Sequence, residues 1–380
     1  MPRVLHAVDQ FLARSETFVY TVVTGHQHYE ASVLCHTRAN AGEFPFPRVH
    51  EQPKPVSRRT AAWWLAASIE RAGGRSAWRR GVDAVLARVD PAVVHAHFGP
   101  IGCEMIPVTR AAGRPLVTSL YGVDAAVLPY LPRWRERYAR LFRDGDLFLA
   151  EGPEMRKKVI AAGAPADRTV THPIALDLTK YPRWAPDGSP TVLFAGRFVE
   201  KKGLPDAIAA FARARVQMPQ ARMTIVGGGG GEDEARALTR RLGIAGAVEF
   251  AGMQPHAEVI RRLTAAAVFI HPSVTASDGD SEGGAPTILL EAQAIGTPIV
   301  TTRHADIPHV VPEGAGVHLC AEHDVEALGL ALVAALQQRT PSSAAHVIAE
   351  HDVARVMPRL EAIYARAAES AAIRARESSR

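Results

Sequence analysis

Two cations follow a predicted strand in the segment FAGRFVEKKG. Arg197 comes directly after Gly196, Lys202 lies five residues further on, and Gly203 with Pro205 marks the start of a helix. An arginine and a lysine beside a helix N-terminus form an anion site, because the backbone N–H groups there carry partial positive charge. The segment therefore predicts phosphate binding, and a solvated basic turn is the alternative.

A second polar segment, SVTASDGDSEGGAPTILLE, joins a strand to a helix that should begin near Pro286 or Thr287. Glu282 lies in its loop, and Glu291 lies about one turn inside the helix. Carboxylates placed there can accept hydrogen bonds from sugar or ribose hydroxyls, and the backbone N–H groups of residues 283–285 can donate to the same ligand. Those three residues are Gly283, Gly284 and Ala285. For Glu282 a solvated loop carboxylate is the alternative.

Two further motifs allow competing interpretations. Asp278 and Asp280 have the spacing of a DxD metal motif, but that motif belongs to another architecture, so we expect a solvated loop and no metal. The five glycines 227–231 fit a dinucleotide fingerprint, although the acidic residues after them would repel a pyrophosphate. We expect instead a tight turn near a ligand, since glycine permits positive φ and close backbone approach.

The first half also carries polar side chains at predicted strand ends. His97 ends VVHAH, Tyr121 follows LVTSL with Asp124 beyond it, and Ser15 and Glu16 stand between a short strand and a helix. Ligands of parallel sheets bind beyond the carboxyl ends of the strands, so these residues should face one cleft. A satisfied core position is the alternative for His97, and a helix N-cap is the alternative for Ser15.

These residues are positioned by alternating strands and helices. Continuously apolar runs predict parallel strands that are covered on both faces, and Ala/Arg/Leu-rich segments between them predict helices, for example 206–217, 232–242, 256–265 and 287–294. The pattern indicates an α/β fold with doubly wound parallel sheets. The strand candidates are 92–96, 116–120, 147–150, 191–195, 222–226, 247–251, 268–271 and 298–301.

Length and composition set the domain plan. The 380 residues are 47% hydrophobic and 22% charged, which excludes a mostly disordered chain and fits two globular domains. We expect a Rossmann-like domain over 1–178, a Pro/Gly-rich linker over 179–190, and a second Rossmann-like domain over 191–355. A C-terminal helix or tail over 356–380 could pack back on the first domain.

Charge and cysteine content bear on partners and location. Residues 1–175 carry 23 Lys and Arg against 16 Asp and Glu, whereas the rest of the chain is close to neutral, so the first half should face an anionic partner. We expect no nucleic-acid partner, since only this mild charge favours one. Three scattered cysteines indicate neither a disulfide framework nor a zinc site. No signal peptide or transmembrane stretch is expected, which favours a cytoplasmic location.

Together these segments resemble glycosyltransferase family 4, a retaining group with the GT-B fold of two Rossmann-like domains around a central cleft. The resemblance lies in GRFVEKKG, in VEFAGMQPHAEVIRRL and in FIHPSVTASDGDSEGGAPTILLEAQAIGTPIVTT. In the first half, SETF, HAHFG, YGVD and EGPEMRKKVIAAG resemble a subgroup involved in exopolysaccharide and colanic-acid-type assembly.

The resemblance implies roles for these positions. Arg197 and Lys202 would bind the donor diphosphate, Glu282 would act at the sugar, Glu291 would hold the ribose and Gln254 would border the base. The remaining donor-side residues would be Gly196, Gly283, Gly284, Ala285, Pro286 and Thr287, and the acceptor side would hold Ser15, Glu16, His97, Tyr121 and Asp124. The sequence departs from the family in one extra residue between the two glutamates, in Tyr121 at a usual histidine, in Ala175 at a usual glycine and in Gly228–Gly230 at a usual acidic turn.

The resemblance implies a metal-independent, retaining transfer of a hexose from a UDP- or GDP-sugar, without a cofactor, in exopolysaccharide or cell-surface glycan synthesis. The acceptor would be a glycan or a polyprenyl-diphosphate-linked saccharide. Residues 55–80 interleave arginine with tryptophan, which suits the anionic inner face of the plasma membrane, and an ordinary amphipathic helix is the alternative. Other functions left open are a GT-B-fold nucleotide-sugar epimerase, a non-catalytic nucleotide-sugar or glycan-binding protein and, on the glycine run alone, an NAD-dependent oxidoreductase.

Overall fold

The computed structural model describes residues 1–14, 16–53, 61, 64–65, 68 and 75–378, with the backbone alone for 372–378. Its first sheet has seven parallel strands in the order β3-β2-β1-β4-β5-β6-β7. The strands are β1 (Arg3–Phe11), β2 (Glu30–Arg38), β3 (Val49–Glu51), β4 (Val93–His97), β5 (Leu116–Leu120), β6 (Leu147–Ala150) and β7 (Thr169–Thr171). The helices that alternate with them are α1 (Thr17–Thr24), α2 (Ala77–Val89), α3 (Gly99–Ala111), α4 (Val123–Ala126), α5 (Pro132–Asp144) and α6 (Pro153–Ala161).

The second sheet has six parallel strands in the order β10-β9-β8-β11-β12-β13. Its strands are β8 (Thr191–Ala195), β9 (Arg222–Val226), β10 (Val248–Gly252), β11 (Val268–His271), β12 (Ile299–Thr302) and β13 (Val317–Cys320). The helices are α7 (Leu204–Gln217), α8 (Glu232–Arg241), α9 (His256–Ala265), α10 (Thr287–Ile295), α11 (Ile307–Val310), α12 (Val325–Gln338) and α13 (Ala345–Glu350). Two doubly wound parallel sheets confirm the predicted α/β class.

The central strands are continuous apolar runs because helices cover both of their faces. Every residue of β4, β5 and β6 is buried, and so is every residue of β11 and β12. One apolar cluster lies within each domain, and a third joins both sheets to the C-terminal segment. The two carboxyl-end edges, where the predicted polar residues lie, are therefore held by a shared core.

The chain crosses between the domains twice. Within the segment 179–190, Trp184 donates to the carbonyl of Ala266 through its indole at 2.7 Å and to that of Ile295 through its backbone N–H at 2.8 Å, so this stretch packs on the second domain. Helix α14 (Val353–Ser378) then returns to the first sheet, where Tyr364 is fully buried. The helix begins at Val353, three residues before the predicted start of the C-terminal segment. Among the described residues, no helix is both long enough and apolar enough to cross a bilayer.

Candidate active site

A cleft of about 440 Å³ separates the carboxyl-end edges of the two sheets. It is mixed in character, with cations and carboxylates at the ends of strands and apolar side chains between them. Most of the predicted residues line it, although they come from segments up to 275 positions apart in the sequence. Those that do are Glu16, Tyr121, Asp124, Gly196, Arg197, Gln254, Lys202, Glu282, Gly283, Ala285, Pro286, Thr287 and Glu291.

Two of the predicted residues that the structure describes, His97 and Gly284, do not line the cleft. His97 is fully buried behind Tyr121, whose hydroxyl lies 2.7 Å from His97 Nδ1, so His97 acts on any ligand only through that tyrosine. The N–H of Gly284 donates to Glu151 Oε2 at 2.8 Å and is not available to a sugar in this arrangement. Ser15 lies outside the described residues.

Lys202 and Glu282 form an ion pair of 2.8 Å within the cleft wall. Burial lowers the pKa of Lys202, and Glu282 counters that effect. Burial alone would raise the pKa of Glu282, but Lys202, His271 and Lys201 outweigh it and lower that pKa to about 2. Glu282 is therefore a carboxylate at neutral pH, and Lys202 is held beside it at the end of a short turn.

His271, which no motif of the sequence had pointed to, lies beside Lys202 and Glu282 in the cleft wall. Burial, and then Lys202, lowers the pKa of His271 to about 3, so its ring is neutral. Ser273 donates its hydroxyl proton to Glu282 at 3.1 Å, which leaves its oxygen to accept from His271 Nδ1 at 3.1 Å. The proton of the neutral ring is thus on Nδ1. Nε2 keeps its lone pair, and it is buried without a partner among the described residues, on a side chain that lines the cleft.

The side chain of Arg197 is exposed, and its guanidinium makes no hydrogen bond or ion pair with the described part of the chain, although the backbone carbonyl accepts the N–H of Val199 at 2.9 Å. Glu16 lies across the cleft on the first domain, and Arg197 acts electrostatically on it. Burial, and then Asp9, raises the pKa of Glu16 to about 7, while Arg197 opposes the rise. The guanidinium is therefore not occupied by any described group, and its predicted role in phosphate binding stays a prediction.

Glu291 is buried at the far end of the cleft, one turn inside α10. His256 Nε2 lies 2.8 Å from Glu291 Oε1, and the Tyr181 hydroxyl donates to the same oxygen at 3.3 Å. The other carboxylate oxygen of Glu291 has no hydrogen-bond partner among the described residues. Gln254 lies nearby, where its side-chain amide donates to the carbonyl of Ala251 at 2.6 Å.

Asp124 is buried and its carboxylate is already engaged. Its two oxygens accept the N–H groups of Gly99 at 2.9 Å, Tyr121 at 3.0 Å and Gly122 at 2.8 Å. These bonds hold the ends of β4 and β5 together. Asp124 thus shapes the turn that presents Tyr121.

The glycines of the acidic loop allow the two domains to touch. A Cβ on Gly283 would lie 1.6 Å from the carbonyl oxygen of Tyr121, and one on Gly284 would lie 2.5 Å from Glu151 Cβ. Burial raises the pKa of Glu151 well above its ordinary value, while the Gly284 N–H opposes the rise. Glu151 directly follows β6, so it occupies the same strand-end position that led us to select Tyr121, and that rule could have found it.

The five-glycine run forms the tight turn that we expected. Gly227 has φ +138°, and a Cβ there would lie 1.8 Å from the carbonyl oxygen of Gly196. Both residues line the cleft, so the backbones of β8 and β9 meet at its floor. The run is explained by this contact, and the dinucleotide interpretation is not needed to account for it.

Two groups in the described chain have ligand types that metals accept. Asp280 pairs with Lys201 at 3.0 Å, and the backbone N–H of Asp280 donates to Asp278, so a lysine from another segment holds one DxD carboxylate and the loop backbone holds the other. His6, His95 and His97 place ring nitrogens within 4.8 Å of one another. Each of these rings already has a hydrogen-bond partner on both nitrogens. Neither group faces the cleft with a free pair of ligand atoms.

Comparison with known proteins places this geometry in a family. A family model described as "Glycosyl transferases group 1" matches residues 182–350. The putative colanic acid biosynthesis glycosyltransferase WcaL of Salmonella typhimurium is 33% identical over 286 residues, which cover 72% of this chain and 69% of WcaL. The amylovoran biosynthesis glycosyltransferase AmsK of Erwinia amylovora is 32% identical over 62% of this chain and 59% of its own length.

Solved structures share the fold at low sequence identity. HepE of Anabaena, in complex with UDP and glucose, matches 96% of this chain and all of its own, with a TM-score of 0.77 and 18% identity. The sucrose-phosphate synthase of Thermosynechococcus elongatus matches 96% of this chain and 99% of its own, with a TM-score of 0.71 and 16% identity. The two-domain architecture is therefore GT-B. Because the chain is 33% identical to WcaL and its second domain matches the family model, this chain belongs to the group 1 glycosyltransferases.

Proposed function

We propose that this glycosyltransferase moves a hexose from a UDP- or GDP-sugar to a hydroxyl of a glycan or a lipid-linked saccharide, with retention of configuration and without a metal. The observation that carries the proposal is the pair Arg197 and Lys202 at the cleft wall, one exposed without a described partner and the other held by Glu282. Two cations that face a cleft stabilise the charge that develops on a departing diphosphate.

The carboxylate and the imidazole in this wall are poor proton acceptors. Glu282 with a pKa of about 2 and His271 with a pKa of about 3 would take little of the proton from an incoming hydroxyl at neutral pH. We therefore assign that proton to the leaving phosphate oxygen. The bond from the anomeric carbon to phosphate breaks, the bond to the acceptor oxygen forms on the same face, and the nucleoside diphosphate leaves with the proton.

Similar proteins include one bound to a UDP-sugar and one that depends on a GDP-sugar, so both nucleotides are supported as donors for this chain. HepE was solved with UDP-glucose, and a GDP-mannose-dependent mannosyltransferase of Mycolicibacterium smegmatis is 28% identical over 76% of this chain. In this chain Met253 and Gln254, at the rim of the cleft, would border the base, and Glu291 would hold the ribose hydroxyls. The relatives in colanic acid and amylovoran synthesis favour a cell-surface polysaccharide as the product's destination.

Thermal unfolding with UDP, GDP, NAD and buffer alone tests the donor. A nucleotide at 100 times its Kd adds about 2.7 kcal/mol of stability, which raises the midpoint of a domain of this size by roughly 5–10 °C. A shift with UDP or GDP but not with NAD supports the proposal and identifies the nucleotide sugars to use in a transfer assay. In that assay the anomeric configuration of the product is read by NMR. A shift with NAD and with neither UDP nor GDP contradicts the proposal.

For the acceptor we propose a polyprenyl-diphosphate-linked saccharide at the cytoplasmic face of the plasma membrane. Most of the residues behind this proposal, between 55 and 80, lie outside the described chain. Of those described, Trp64 and Leu65 are 54% and 64% exposed, whereas Trp78 packs on the first domain. Flotation with anionic vesicles at low salt should retain the protein, and failure to float would contradict membrane contact.

A further inference from the structure

A row of buried imidazoles connects the C-terminal helix to the cleft. Glu361 Oε1 lies 3.3 Å from His26 Nδ1, His26 Nε2 lies 2.9 Å from His6 Nε2, and His6 Nδ1 lies 3.0 Å from His97 Nε2. His97 Nδ1 then lies 2.7 Å from the hydroxyl of Tyr121, which lines the cleft. We call His26, His6 and His97 the histidine row. None of its members enters the proposed mechanism.

The three rings of the row are neutral. Burial lowers the pKa of all three, and it lowers that of His97 to about 3. For His6 the neighbouring His26 and His97 lower the pKa further, because adjacent imidazoliums repel one another. A neutral imidazole has one N–H and one lone pair, so fixing one nitrogen of a ring fixes the other.

The carboxylate of Glu361 fixes the first ring. Interactions with His28 and Gln27 hold the pKa of Glu361 below its ordinary value although burial opposes them, so the group only accepts hydrogen bonds. His26 must therefore carry its proton on Nδ1 and offer a lone pair at Nε2. It follows that His6 carries its proton on Nε2 and accepts at Nδ1, and that His97 carries its proton on Nε2 and accepts at Nδ1.

We propose that Glu361, through the histidine row, forces Tyr121 to donate its hydroxyl proton to His97 and not to Ser119, the other hydrogen-bond partner of that hydroxyl, so that Tyr121 has no proton to offer to the cleft and accepts a hydrogen bond from a hydroxyl of the bound sugar substrate. The proposal rests on the proposed function for the identity of that ligand. Tyr121 itself would be the residue in contact with substrate. Glu361 and the row are positioning residues that act through it.

The same rings could in principle hold a metal instead. Their hydrogen bonds argue against it, because His6 already contacts another imidazole on each nitrogen and His95 contacts Tyr364 and Ser119 at 2.6 and 2.7 Å. No carboxylate lies within the group of three to balance a dication. A metal would have to break at least part of the row, so the test distinguishes the two arrangements.

The direct test needs no variant. Two-bond ¹H–¹⁵N spectra of the ligand-free protein, labelled with ¹⁵N-histidine, report which nitrogen of each ring is protonated. We expect His26 protonated on Nδ1, and His6 and His97 protonated on Nε2. An Nδ1-protonated His97, a charged ring in the row at pH 7.5, or spectra that change on EDTA dialysis and return with Zn²⁺ would each overturn the proposal.

Variants connect the row to the cleft. Glu361→Ala should release His97 into a mixture of tautomers, whereas the control His28→Ala, which removes a different Glu361 contact, should leave His97 unchanged. In the transfer assay Tyr121→Phe should lower kcat/KM roughly 3- to 10-fold, as expected for one neutral hydrogen bond. Adding Glu361→Ala to Tyr121→Phe should cause no further loss.

The outcomes separate this proposal from the proposed function. Additive losses in the double variant would mean that Glu361 acts only on the packing of α14, which overturns the role of the row. An unchanged kcat/KM in Tyr121→Phe would overturn the contact with substrate. If the tautomers are as expected but no nucleotide sugar is bound or turned over, the proposed function fails while the assigned polarity of Tyr121 stands.

Discussion

Lys202 and Glu282 each have a pKa that depends on the other. Lys202 compensates the buried carboxylate, and the carboxylate opposes the fall that burial causes in the pKa of Lys202. A phosphate that enters the cleft meets a lysine already charged and already oriented. The arrangement costs little reorganisation at the moment of reaction, which is the condition under which a fixed charge stabilises a transition state most.

Lys202→Met should therefore reduce transfer by roughly 100- to 1000-fold, the usual loss for one group that stabilises developing charge. The variant also leaves Glu282 buried without its cation, so the pKa of Glu282 should rise. The matched control is Lys157→Met, which removes an exposed lysine that pairs with Glu154 at 2.6 Å on the outer face of α6. Steady-state rates with both variants check the prediction, and equal rates for Lys202→Met and the wild type would contradict the assigned role.

His271 makes a separate prediction because its free Nε2 is an acceptor. A diphosphate has no proton to offer it at neutral pH, whereas a sugar hydroxyl does. His271→Phe should weaken binding of the intact nucleotide sugar roughly 3- to 10-fold and leave binding of the bare nucleotide close to that of the wild type. Calorimetric titration with both ligands measures the difference, and an equal loss for the two would show that the ring serves the phosphates or only the packing.

At the scale of the elements, the strands were the most predictable feature. Five of the eight candidate strands match their observed bounds, and β4, β10 and β12 are shifted by one residue, because continuous apolar runs have few other places in a covered sheet. Strand β2 was not predicted: EASVLCHTR mixes polar and apolar residues, and it is a strand only because β1 and β3 pair with it. An apolar run therefore predicts a strand better than a segment that mixes polar and apolar residues.

The site residues also differ in how far the sequence could predict them. Residues next to a predicted strand end, such as Arg197 and Tyr121, could be assigned to the cleft, since the fold class brings those ends together. The histidine row could not, because it joins positions 335 residues apart through contacts that depend on where α14 docks. His97 was assigned to the cleft edge for its place at the end of β4, and only the packing shows that Tyr121 stands in front of it.

Helix α6 depends on the other domain for its N-terminal cap. Asp306 accepts the N–H groups of Glu154 and Met155 at 2.8 and 2.9 Å, and a Cβ on Gly152 would lie 2.3 Å from the Asp306 carboxyl carbon. A cap within one domain stabilises that domain, whereas this one stabilises the contact between the two. The glycine is required because the aspartate fills the space that a side chain would take.

Asp306→Ala should lower the free energy of unfolding by about 1 kcal/mol, the usual value of an N-cap, and should also open the cleft. Its control is Asp324→Ala, which removes a cap from α12 that lies within the second domain, where Asp324 accepts from Ala327 at 2.9 Å. Chemical denaturation should show a similar loss for both. Small-angle scattering should show a larger radius of gyration for Asp306→Ala only, and expansion in both variants or in neither would contradict the contact between domains.

At the scale of the whole molecule, buried histidines make stability depend on pH. Burial lowers the pKa of several of them, to about 3 for His97 and His271 and to about 4 for His172 and His351. His6 and His95 are lowered as well. In the unfolded chain each returns to a pKa of about 6.5. Between these values the unfolded state binds more protons than the native state, so stability is present above pH 6.5 and is lost as the pH falls.

Buried carboxyls oppose this loss without reversing it. Burial raises the pKa of Glu16 to about 7 and raises those of Asp124, Glu151 and Asp306, so these four favour the native state at lower pH. The histidines with a lowered pKa, with His26 among them, outweigh these four carboxyls, so the free energy of unfolding should fall between pH 6.5 and pH 5.5. Glu16→Gln removes one opposing group and should make the fall steeper, since the native state then holds one proton fewer in this range. Urea denaturation of both proteins at pH 7.5, 6.5 and 5.5 measures the slopes. A flat profile would contradict the assignment of these histidines as neutral in the native state, and a shallower profile for Glu16→Gln would contradict the raised pKa of Glu16.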